Sequence, residues 1–137
     1  MRHDPSTSRH RRVAAVIIGA VVVAAGLAVS EFTPAGMVAD AAGDALYAAL
    51  VYLIAVFVAP RAAPWKTALA ALAWCVAVEF FQLTGLPEVW GAAFRPLMFV
   101  FGNVFAASDL AFYGLGIALA CAIDVVSRSR VRAEPRG

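Results

Sequence analysis

Six residues in this 137-residue chain have the types and spacing to build a polar site: Asp44, Glu79, Gln82, Arg95, Asp109 and Tyr113. Each stands in or beside a long apolar run, where an ionisable group is expensive to hold and tends to face an interior. Glu79 and Gln82 are three positions apart, and Asp109 and Tyr113 are four apart, so each pair shares one helix face. Carboxyls gathered with an arginine could support acid–base chemistry or hold a divalent cation.

No catalytic template accompanies them. There is no Ser/His pair, no His-Glu-x-x-His and no dinucleotide fingerprint, and Gly85 and Gly91 are one residue too far apart for a phosphate loop. Both histidines, His3 and His10, lie in the polar N-terminal stretch. Cys75 and Cys121 sit inside apolar runs and read as small buried hydrophobes. The residues thus prompt a binding cluster, with no cofactor and no metal site, and they do not prompt an enzyme.

The composition says what must position that cluster. Hydrophobic residues make up 63% of the chain and charged ones only 15%. A soluble domain carries about 45–50% and about 25% respectively, so the solvent here is lipid. Four apolar runs, over residues 13–30, 44–60, 67–83 and 109–126, each approach the roughly 20 residues a helix needs to cross the hydrocarbon. They are too long for strands and lack barrel alternation. Helices alone satisfy their own backbone in lipid. The expected fold is all-α: a membrane-embedded bundle of four transmembrane helices over 13–126, between basic tails at 1–12 and 127–137.

Charge placement orients it. With the N-terminus inside, every Lys and Arg except Arg95 falls on the cytoplasmic side, which predicts cytoplasmic N- and C-termini in a cell membrane. Basic ends of this kind are topological flanks that can touch anionic lipid; they do not point to nucleic acid. The first run, with Ala28-Val29-Ser30 behind it, has a signal-peptide outline, but its length favours an uncleaved anchor. Pro60, Arg61, Pro64, Trp65 and Lys66 predict a tight inner hairpin. The segment 84–108, broken by Pro87, Pro96 and Gly102-Asn103, is too short to span and predicts a re-entrant or interfacial piece on the outer side.

On this topology Asp44 and Asp109 open the second and fourth spans, and Glu79 lies about 6 Å below the outer end of the third. All three carboxyls then share one depth. Arg95, the only outer cation, is expected to fold back over them. For the two aspartates a plain helix-start role stays open, since a carboxylate there satisfies free N–H groups and complements the helix dipole. Asp124 is expected to pair with Arg128 at i+4.

Gly43-Asp44-Ala45-Leu46-Tyr47, Pro60-Arg61, Glu79-Phe80-Phe81-Gln82-Leu83, Arg95, Gly102 and Ser108-Asp109-Leu110 with Tyr113 and Gly116 together resemble the domain of unknown function 2809 family of small bacterial membrane proteins. The resemblance implies the same four-span fold over nearly the whole chain and carries no activity with it. Where that family has Ser-Arg after the first span, this chain has Ser30-Glu31. The wiring is also similar, more weakly, to VanZ-like proteins of the cell envelope, although Tyr113 stands where those have Asn.

The leading expectation is a cell-envelope membrane protein that binds a small polar or lipid-linked ligand at the outer cluster, with the bilayer as its environment. Its rivals are an accessory or scaffold protein that docks a membrane partner, and a homo-oligomeric transporter subunit.

Overall fold

The computed structural model describes residues 5–101 and 106–133. Every regular element among them is helical. Helix α1 runs Pro5–Phe32, α2 Met37–Val58 and α3 Pro64–Gln82. Two short helices follow, α4 Leu86–Ala93 and α5 Met98–Phe101, separated by a 3-10 turn at Arg95–Leu97; α6 runs Asp109–Ala133.

Local sequence explains these limits. Gly36 breaks the chain between α1 and α2 at φ 151°, ψ 179°, a conformation that only glycine adopts without strain. Pro60 and Pro64 end α2 and start α3, the latter in the first-turn position where a missing N–H costs nothing. Gly85, at φ 71°, supplies the left-handed residue that closes α3 and turns into α4.

Helices α1, α2, α3 and α6 contain segments long and apolar enough to cross a membrane: Thr7–Phe32, Met37–Val58, Pro64–Gln82 and Asp109–Arg130. Only 11% of the most apolar window of α1, and 28% of that of α3, is buried inside the molecule. Val16, Ile17, Val21, Leu27, Leu69, Leu119 and Ile123 all point outward. Water would not tolerate that much exposed hydrocarbon, whereas lipid tails are its natural surroundings. The chain is a multi-pass membrane protein.

The core is built from small residues. Ala15, Ala48, Ala71 and Cys75 are buried with Tyr52, Val56, Tyr113 and Ile117. In lipid, helices are held by close packing more than by expulsion of water, so small side chains on the inner faces let backbones approach. Helix α2 is central, flanked by α1 and by α6, while α3 packs on both α6 and α2. One close crossing sets Gly116 of α6 against the Ala45 carbonyl of α2, where any Cβ would collide.

The helices exceed the apolar runs in one important place. Helix α2 starts at Met37, so Asp44 does not open it: seven residues, or about 10 Å of helix, precede it. Asp40 and Asp44 interrupt the apolar run without interrupting the helix, because the real break is at Gly36. The first-turn carboxylate is Asp40. Asp44 therefore has no capping role, and the helix-start reading survives only for Asp109, the first residue of α6.

A polar cluster between three helices

The two ends of the bundle carry different polar chemistry. At the end where α1 begins and α6 finishes, Asp124 gathers partners from three directions. Arg11 of α1 approaches its carboxylate at 3.0 Å, Arg128 contributes two contacts of 3.2 Å from one turn further along α6, and the Tyr52 hydroxyl donates at 3.0 Å. Arg128 also donates to the Ala62 carbonyl at 2.8 Å, tying in the α2–α3 hairpin. Arg12 donates to the Phe57 carbonyl at 3.0 Å, satisfying one of the free acceptors at the C-terminus of α2, and lies over the Phe57 ring. The expected Asp124–Arg128 pair is present. Arg11 and Tyr52 were not legible as its partners, because nothing in the sequence says which face of α1 or α2 meets α6.

At the opposite end, Asp44 of α2 lies within hydrogen-bonding reach of Asp109 at the start of α6, and Ser108 donates to Asp109 at 3.1 Å. Glu79 of α3 faces both aspartates. Its carboxyl stands against the Tyr113 hydroxyl and the backbone at Ala106, yet neither oxygen completes a hydrogen bond with a described residue. Glu79 is only 2% exposed. A buried polar atom without a partner is unusual, and each one asks for a reason.

Gln82 lies one turn beyond Glu79, also buried, and donates through Nε2 to the Phe101 carbonyl at 2.6 Å. That bond fixes the amide orientation and leaves Oε1 buried without a donor. Tyr47, one turn below Asp44 on α2, donates to the Val100 carbonyl at 2.7 Å and accepts from the Trp74 indole at 3.0 Å. Its ring packs at 6.0 Å from that of Tyr113. Tyr47 and Gln82 thereby satisfy the last two carbonyls of α5, which a four-residue helix cannot satisfy internally. Phe81 adds ring contacts to Trp90 and Phe101 at 5.4 Å each. The segment 86–101 is thus stapled onto the bundle by side chains from α2 and α3. Tyr47 and Trp74 as its anchors escaped the sequence reading, although their hydroxyl and indole groups within apolar runs were a usable signal.

Asp44, Glu79, Asp109 and Tyr113 come together from three helices, and Gln82 borders them. Arg95 does not join. It lies exposed in the 3-10 turn, and the two ion pairs among the described residues both involve Asp124. The expectation that Arg95 folds over the carboxyls is corrected: it stands exposed in the 3-10 turn and makes no ion pair with a carboxyl among the described residues. The carboxyls nevertheless do not form a metal cage, since no three acidic, His or Cys side chains among the described residues converge closely enough.

A helical multi-pass protein with an acidic cluster under a stapled connection is the class that this fold and site define. Residues 33–117, more than half of the chain, match the family described as Protein of unknown function (DUF2809), and the chain belongs to that family. No curated protein and no solved structure matches it. The matched stretch contains the whole acidic cluster and its stapled connection, while Arg11 and Asp124 lie outside it.

Proposed function

We propose that the chain is a membrane protein of the bacterial cell envelope that binds a small polar ligand at Asp44, Glu79, Asp109 and Tyr113, with Gln82 at the border. The observation that carries this reading is Glu79, buried at the meeting point of three helices with neither oxygen completing a hydrogen bond with a described residue. A bundle that needed only packing would place an alanine or leucine there, because an uncompensated polar group in an apolar interior costs about 1–3 kcal/mol or more. Binding a ligand that supplies donors removes that cost.

The distribution of basic residues supports an orientation with both termini cytoplasmic, so that the cluster opens outward. Asp44 and Asp109 are only half-buried and form its rim, with Glu79 beneath. Arg95, outside the site, has no part in holding the ligand.

The test replaces Glu79 with Gln in the full chain and measures thermal unfolding and growth under envelope stress separately. A folded variant with a changed envelope phenotype is the expected result. If the variant folds with an unchanged phenotype, the cluster is a structural device.

A further inference from the structure

Resting on that reading of the cluster, we propose that its ligand is a singly charged cation, an alkali ion or a primary ammonium group, coordinated by Glu79 and Gln82 with Asp44 and Asp109 at the entrance. The argument is an inventory of donors and acceptors. Three buried oxygens, Glu79 Oε1 and Oε2 and Gln82 Oε1, lack any donor among the described residues. They belong to residues one helical turn apart on the same face of α3, so one small group can reach all three.

Neighbouring donors are already committed. The Gln82 Nε2 goes to Phe101, the Tyr47 hydroxyl to Val100, the Trp74 indole to Tyr47 and the Ser108 hydroxyl to Asp109. The Tyr113 hydroxyl and the backbone at Ala106 stand against Glu79, and neither completes a hydrogen bond to it. The site is therefore rich in acceptors and poor in donors, the reverse of what a phosphate, carboxylate or other anionic headgroup requires.

Charge gives the same answer. Three carboxyls lie near one another, and among the described residues no arginine or lysine makes an ion pair with them: Arg95 is exposed, and Arg11 and Arg128 are engaged with Asp124 at the far end. An anion would be repelled. A hard, oxygen-seeking cation would be drawn in and would find carboxylate and amide oxygens. A divalent ion fits less well, since these carboxyls, though neighbours, do not come close enough for three among the described residues to ligate one ion. One positive charge, shared by Glu79 and a neutral amide oxygen, matches the set.

The experiment uses the full chain in neutral detergent and follows thermal unfolding. Lithium, sodium, potassium and methylammonium chlorides are compared at constant ionic strength, balanced with N-methylglucamine chloride. One small cation is expected to raise the unfolding temperature in a saturable way, as binding to the folded state requires. A response to an alkali ion alone identifies a metal-ion site, and a response to methylammonium alone identifies an ammonium site. Asp44→Asn is expected to weaken the apparent affinity by about tenfold or more, Glu79→Gln to abolish the effect, and the exposed Glu88→Gln to leave it unchanged. If Glu79→Gln does not fold, the Asp44→Asn shift decides.

Equal effects of every salt, a response kept in both cluster variants, or a larger response to magnesium or calcium would overturn the proposal. Cation insensitivity together with a folded Glu79→Gln variant of altered envelope phenotype would remove the cation while leaving a ligand site in place.

Discussion

Arg11 and Asp124, 113 positions apart, meet at 3.0 Å and join the first and last spans of the bundle. Helix α1 otherwise packs on α2, so this contact links α1 directly to α6. Both side chains are mostly covered, and Asp124 neutralises part of the charge of two arginines at once. Asp124→Ala leaves both guanidinium groups uncompensated and is expected to cost about 3 kcal/mol or more. A double-mutant cycle with Arg11→Met, read by thermal unfolding in detergent, is expected to be strongly non-additive. Additive losses would mean that the two residues act independently.

Gly116 sets the distance between α2 and α6. Gly116→Val forces the helices apart at Ala45 and is expected to destabilise by about 1–3 kcal/mol, the usual cost of overpacking. Gly26, around which no neighbouring atom lies within 4 Å of an added Cβ, is the control: Gly26→Ala should unfold like the parent.

Tyr47 and Gln82 hold the carbonyls of Val100 and Phe101. Tyr47→Phe and Gln82→Leu each free a carbonyl in a largely apolar setting, a loss of about 1–3 kcal/mol. Because the loss is local, amide hydrogen exchange in 98–101 should accelerate while exchange in the middle of α2 stays slow. Uniform acceleration throughout the protein would show that these bonds support the whole bundle.

Glu79 carries the opposite expectation. In the absence of ligand its unpartnered carboxyl is a burden, so Glu79→Leu should leave stability unchanged or raise it by about 1–2 kcal/mol. A large loss of stability would assign Glu79 to the architecture and withdraw it from any binding role.

Orientation has its own measurement. With Cys75 and Cys121 replaced by alanine, single cysteines at Glu88 and Arg61, both exposed, should react with a membrane-impermeant maleimide from opposite sides of the membrane. Labelling of the Glu88 position from outside intact cells is expected. The reverse pattern would place the acidic cluster at the cytoplasmic face.

The sequence by itself determined the solvent, the helices and the neighbourhood of the site. Apolar runs near 20 residues leave a chain in lipid no other way to satisfy its backbone, and Gly36, Pro60, Pro64 and Gly85 mark where helices must stop. Costly carboxyls in those runs point to Asp44, Glu79 and Asp109. Which side chains face one another was decided by tertiary structure alone. Helical periodicity assigns a residue to a face but does not choose the facing helix. Arg11 therefore could not be matched to Asp124, nor Tyr47 to Val100, until the helices were packed. Arg95 is the sharpest case. Its charge suggests the carboxyls as partners, but a charge is attracted only to what its backbone lets it reach, and in the turn at Arg95–Leu97 it stands exposed without a carboxyl partner among the described residues.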